Sequence, residues 1–126
     1  MYSPVHVALL ATAYLMVKHM LADFVLQTPY QVRNKGIYLH PGGILHAGIH
    51  AALSLPVYAI ARVDLRVVLP PMLAELLVHY HIDWSKEQFN HRANLTQADP
   101  TFWWAFGIDQ MMHSLTYLAM VWILMR

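Results

Sequence analysis

Residues 4–26, PVHVALLATAYLMVKHMLADFVL, decide how the rest of the chain is read. At about 1.5 Å per residue this run reaches roughly 34 Å as a helix, enough for the ~30 Å hydrocarbon core of a bilayer. The same run carries His19 and Asp23, four apart and therefore on one helix face. Three further apolar segments repeat the arrangement, with His46/His50, His79/Asp83 and Asp109/His113. Each segment thus aims two metal- or proton-binding side chains one way. Met1-Tyr2-Ser3-Pro4 offers no basic n-region, and no small-residue cleavage site follows, so the first run reads as a retained helix and not a signal peptide.

Working outward, Thr28-Pro29 stops the first helix, and 30–43 reads as a loop ending in the breakers Pro41-Gly42-Gly43. A second helix is expected over about 44–61, kinked at Pro56. The short link 62–66 suits antiparallel neighbours. A third helix covers about 67–86. Pro70-Pro71 kinks or starts it, and a start there leaves a piece short for a bilayer. The polar stretch 87–99 reads as a loop. Asp99-Pro100 then reads as N-cap and first-turn proline of a fourth helix over about 100–125. The expectation is an all-α fold: one domain over 1–126, an up-down four-helix transmembrane bundle.

Composition agrees with the membrane. Apolar residues are 58% and charged residues 12%, against about 25% charged in an average soluble domain, and the mean hydropathy is +0.39. A formal net charge of +1 argues against a nucleic-acid partner. The absence of cysteine excludes disulfides, thiolate zinc sites and a cysteine nucleophile. The lipid bilayer is the expected partner. Gly48, Ala52 and Ala59 form a small-residue stripe that would let copies self-associate as a homo-oligomer. Phe24, Trp84, Trp103 and Trp104 are placed at one interface, and Tyr2, Tyr58 and Trp122 at the other. Arg33, Lys35, Lys86 and Arg92, with Lys18 snorkelling to the nearer surface, outnumber Arg62, Arg66 and Arg126. The positive-inside rule therefore places the pair-bearing end in the cytoplasm.

Up-down connectivity brings all four pairs to one end, with Asp23, His46 and Asp83 nearest the mouth and His19, His50 and His79 a turn deeper. Glu75 lies one turn below His79. Gln27 and Lys86 continue the faces toward the rim. A buried ionisable group costs about 2.5–3.5 kcal/mol at a helix centre, so these groups must face one another. Imidazole and carboxylate without thiolate suit a divalent transition metal such as Zn, Fe or Mn. The candidate ligands are His19, Asp23, His46, His50, His79, Asp83 and His113. Glu75 and Asp109 are the candidate catalytic acid–base groups for metal-assisted hydrolysis, with Gln27, Lys86 and Gln110 completing the pocket. A proton or cation path, or pairs acting only as glue between helices, are the alternatives. Beyond the pairs the same faces offer only Thr12, Ser54, Thr116 and Tyr117. His6, His40, His81 and His91 lie at an interface, in loops or on the wrong face.

The motifs KHMLADFVLQT, LHAGIHAAL, VHYHIDWSK and GIDQMMHSL, in that order, resemble a bacterial and phage integral-membrane family, domain of unknown function 3307. The resemblance runs from Val17 to Leu115. It singles out His19, Asp23, Phe24, Gln27, His46, His50, His79, Asp83, Lys86, Asp109, Gln110 and His113, and implies a short helical membrane protein. It implies no activity. A weaker likeness to His-rich inner-membrane metal-dependent hydrolases extends only to ligand type.

Overall fold

The structure is a computed structural model and describes residues 3–126. It is all-helical: α1 Pro4–Phe24, α2 Pro29–Asn34, α3 Pro41–Leu53, α4 Leu55–Ile60, α5 Leu69–Arg92 and α6 Pro100–Leu124, with a 3-10 turn at Leu65–Val67 and no strand among the described residues. Proline supplies the punctuation. All seven prolines stand in the first turn of a helix, where the missing N–H has no helical acceptor to lose and φ is already suitable.

This rule corrects several expected boundaries. The stretch 30–43 is not a plain loop, because Thr28 and Gln31 form a reciprocal capping box that starts α2 at Pro29. α2 packs against α3, and its Gln31 and the following Lys35 are buried. Pro41-Gly42-Gly43 is the first turn of α3, whose cap is His40, its ring accepting the Gly42 N–H at 3.0 Å. The glycines serve close packing here. A Cβ on Gly42 would stand 2.9 Å from the Asn34 Cβ, and one on Gly43 would stand 3.1 Å from the Tyr80 ring. The second rod does bend ahead of Pro56: α3 gives way to α4 at Ser54.

Pro70 and Pro71 open α5 and do not kink it. The helix then runs six residues past Lys86, so its 24 residues reach about 36 Å and the expected shortfall disappears. It ends in a Schellman motif: Asn94 takes φ 51°, and the Leu95 N–H reaches back to the Asn90 carbonyl at 2.9 Å. The remaining loop is 93–99. α1 stops at Phe24, two residues short of the expected end, and α6 closely follows its expected span.

α1 packs on α3, α4 and α6, and α5 on α3 and α6, closing a ring of helices. The apolar core, centred on Leu15, Val57, Tyr58, Tyr117 and Val121, fills one half of the interior. The other half is polar. Among the described residues, thirteen buried side chains are polar or charged and twelve are hydrophobic, while large apolar side chains from Val5 to Ile123 cover the outside. Two segments, Pro4–Phe24 and Pro41–Ile60, are long and apolar enough to cross a membrane. Of the expected aromatic belt, Phe24, Trp103, Trp104 and Trp122 are exposed, Trp84 is half-buried, Tyr58 is buried and leaves that set, and Tyr2 lies outside the described residues. Gly48 has open space where a Cβ would go, so the small-residue stripe lies on the outer surface.

Candidate metal centre

Each rod sends one stripe inward. On α1 the stripe is Ala11, Leu15, Lys18, His19 and Ala22; on α3 it includes His46 and His50; on α5 Glu75, His79 and Asp83; on α6 Asp109, His113 and Tyr117. All eight paired residues meet in one cluster. His79 is its hub, with ring centroids 3.8 Å from His50, 4.1 Å from His113, 5.3 Å from His46 and 5.8 Å from His19.

Asp23 collects three imidazoles. Its Oδ1 lies 2.9 Å from His50 Nε2 and 3.3 Å from His46 Nε2. Its Oδ2 lies 3.1 Å from His19 Nε2 and accepts from Gln110 Nε2 at 3.2 Å. Asp83 Oδ1 is 3.2 Å from His113 Nε2, and its Oδ2 is 3.1 Å from His46 Nε2. Several of these short contacts are not hydrogen bonds. His46 Nε2, both nitrogens of His79, Asp83 Oδ2 and Asp109 Oδ1 are buried with no hydrogen-bond partner. Such a pattern arises when polar atoms surround a common point and do not aim at one another. Ligands about 2.0–2.1 Å from a tetrahedral ion stand about 3.4 Å apart, close to the 2.9–3.3 Å contacts around Asp23.

Two separate sets gather candidate ligand atoms within 4.8 Å of one another, Asp23/His46/His50/His79 and Asp83/Asp109/His113; His19/His79/His113 forms an overlapping third. His19 is otherwise engaged, with Nδ1 2.9 Å from the Tyr117 hydroxyl and Nε2 3.2 Å from Gln110 Oε1. At the rim, Gln27 donates to the Asp23 carbonyl at 2.8 Å, and Lys86 Nζ stands 3.9 Å from Asp109 Oδ1.

Lys18 does not snorkel. It is 3% exposed and lies beneath the cluster, where its ammonium donates to Glu75 Oε1 at 2.7 Å and to the His50 carbonyl at 2.9 Å. Ser54 Oγ donates to the same Glu75 oxygen at 2.8 Å. Lys35 is likewise buried, donating to Gln27 Oε1 at 3.0 Å and lying 3.7 Å from Asp83 Oδ2. Sequence reasoning missed both lysines. Lys18 was discoverable, since spacings of four, three and four from Ala11 through Leu15 and Lys18 to Ala22 trace the buried stripe. Lys35 depends on α2 folding back and has no local signal. His81 stays outside the cluster, sharing a hydrogen bond with the Leu77 carbonyl at 2.7 Å.

The profile of one protein family matches residues 11–126, which include every residue of the cluster. The chain belongs to DUF3307. That family is described as protein of unknown function, as the ordered motifs led one to expect. No curated protein and no solved structure matches the chain. For this DUF3307 member the chemistry must therefore be argued from the cluster itself.

Proposed function

We propose that this chain is a multi-pass membrane protein, a transmembrane bundle of four rods (α1, α3 with α4, α5 and α6), that holds a divalent transition metal for hydrolysis of a membrane-held substrate. The observation that carries the reading is the close set Asp23, His46, His50 and His79, in which His46 Nε2 and both nitrogens of His79 are buried without a hydrogen-bond partner. The favoured ligands are Asp23, His46, His50 and His79, an imidazole-rich set that suits Zn, Fe or Mn. His19 and Gln110 orient Asp23 through its Oδ2, and His113 orients Asp83 through its Oδ1, the kind of support that ligating carboxylates need.

A divalent ion there supplies Lewis-acid chemistry, polarising an ester or phosphoryl oxygen and lowering the pKa of water. Of the two acid–base candidates, Asp109 is better placed. Its Oδ1 makes no hydrogen bond and the residue borders an open groove, whereas Glu75 is held behind the cluster by Lys18 and Ser54. A proton path is disfavoured because Ala11, Leu15, Val57, Val68, Met120 and Val121 fill the interior on the far side. The cytoplasmic assignment of the cluster end loses its basis. With Lys18 and Lys35 buried and Lys86 tied to Glu87 and Asp109, only Arg33 and Arg92 remain there against Arg62, Arg66 and Arg126.

The test is elemental analysis of protein purified in mild detergent without a metal-affinity tag. About one equivalent of Zn, Fe or Mn is expected; less than about a tenth of an equivalent after reconstitution overturns the metal reading. Release into an alkaline-carbonate supernatant overturns the membrane reading.

A further inference from the structure

Between α5 and α6 runs an outward-facing groove of about 750 Å³. Its walls include Leu77, Ile82, Phe89, Trp104, Ile108 and Met112, and at its inner edge stand Lys86 and Asp109. From residue 77 to residue 89 of α5 the groove extends roughly 18 Å, close to the ~15 Å hydrocarbon depth of one leaflet. An apolar channel one leaflet long with charge partway along it has the shape of a lipid site.

The charges select the headgroup. Lys86 Nζ and Asp109 Oδ1 are 3.9 Å apart, too far for a hydrogen bond, and Asp109 Oδ1 is buried with no hydrogen-bond partner, His113 Nε2 standing 3.7 Å away. The other Lys86 contact is Glu87 Oε1 at 3.2 Å, on a residue nearer the surface. An anion beside Lys86 and a cationic donor beside Asp109 satisfy both groups together. A purely anionic headgroup meets the Asp109 carboxylate, and an uncharged one leaves Lys86 with only its outward contact to Glu87. Resting on the membrane reading above, we infer that the α5–α6 groove binds a zwitterionic phospholipid bearing a primary ammonium, its phosphate at Lys86, its ammonium at Asp109 and an acyl chain along Ile82, Leu77 and Met112. The headgroup thereby borders the Asp83/Asp109/His113 set, which makes such a lipid the substrate class that the cluster meets first.

The full chain in mild detergent is presented with dioleoyl phosphatidylethanolamine, dioleoyl phosphatidylglycerol and dioleoylglycerol, and retained lipid is read by native mass spectrometry. Phosphatidylethanolamine is expected to be retained about tenfold or more over both others, the scale of one charge-assisted hydrogen bond. Lys86→Gln removes most of that preference. Ile108→Trp, at an exposed wall position that leaves the interior undisturbed, blocks retention while helicity by circular dichroism is unchanged. Equal retention of the three lipids, higher retention of phosphatidylglycerol, or retention indifferent to Ile108→Trp each overturns the inference. Alkaline-carbonate extraction of the membranes from which the protein is purified, before any detergent is added, separates the two readings: protein that stays in the membrane yet lacks headgroup preference refutes the lipid site alone, and protein released into the supernatant refutes both.

Discussion

Replacing His79 by leucine, a side chain of similar bulk, separates a metal ligand from a histidine that merely holds helices together. His79 is 1% exposed and neither ring nitrogen has a hydrogen-bond partner. A neutral imidazole carries one donor and one acceptor, and each left unpaired in a buried site costs about 1–3 kcal/mol. In EDTA-treated protein His79→Leu removes both unpaired groups, against a repacking loss of up to about 1.5 kcal/mol, so stability rises or holds. With metal present the variant gives up part of that advantage. Loss of a residue that only supports a ligand weakens metal affinity about 10–100-fold, and loss of a ligand weakens it at least as much. At a metal concentration 100 times the dissociation constant the unmodified protein gains about 2.7 kcal/mol, and the variant gains about 0.4–1.4 kcal/mol at best. The assay is unfolding followed by circular dichroism in detergent, with zinc titrated from an EDTA baseline. A variant that loses more than about 2 kcal/mol in EDTA yet keeps the full zinc response refutes the reasoning.

The Lys18–Glu75 pair makes a second test. Lys18→Met or Glu75→Gln leaves one buried charge without its partner and costs about 3–5 kcal/mol, whereas Lys18→Met with Glu75→Leu returns to within about 1 kcal/mol of the unmodified protein; additive losses in a double-mutant cycle of unfolding free energies contradict this. Asp99, in the loop before α6, gives a pH signature. The Thr96 N–H donates to its Oδ2 at 2.7 Å and the Thr96 hydroxyl at 2.9 Å, which hold its carboxyl below the ordinary value of 3.8. A depressed carboxylate contributes stability above its unfolded pKa and loses it as pH falls through the lower folded one. Protection of the Thr96 amide, followed by hydrogen exchange, is therefore expected to hold from neutrality down to about 4 and to fall below that, and Asp99→Asn removes the dependence.

The inward faces were legible because i,i+4 spacing is a property of the chain alone. Four pairs on four apolar segments could bury their polar groups only by meeting, and they do meet around His79. Boundaries were less legible where the signal had two readings. Pro41-Gly42-Gly43 resembles a breaker, yet a proline in a first turn starts a helix, and the glycines answer to Asn34 and Tyr80, contacts that appear only once α2 folds back. The capping box at Thr28 and Gln31 was written in the sequence and passed over. The extension of α5 to Arg92 was masked by polarity, because Glu87, Gln88 and Arg92 look like loop residues when their tertiary surroundings are unknown. Gln88 is in fact held by the Gly36 carbonyl at 2.6 Å.

Charge balance narrows the choice between the ligand sets. Each of the three buried carboxylates has a lysine: Glu75 has Lys18 at 2.7 Å, Asp83 has Lys35 at 3.7 Å and Asp109 has Lys86 at 3.9 Å. Half-buried Asp23 has no lysine in ion-pair contact, although the Lys18 charge still reaches it, and its neighbours are His19, His46, His50 and the Gln110 amide. With every imidazole neutral, one negative charge stays uncompensated in the polar half of the interior, at a cost of about 2.5–3.5 kcal/mol or more within a bilayer. Protonating one of those imidazoles neutralises it but turns that ring's single acceptor nitrogen into a second donor, so the ring has no lone pair left to offer. A divalent cation instead uses the lone pairs of His46, His50 and His79 together with the unmatched carboxylate. The carboxylate without a lysine is the one grouped with three histidines, and that coincidence is the strongest support for placing the ion at Asp23 and not at Asp83 and Asp109, where lysines already stand.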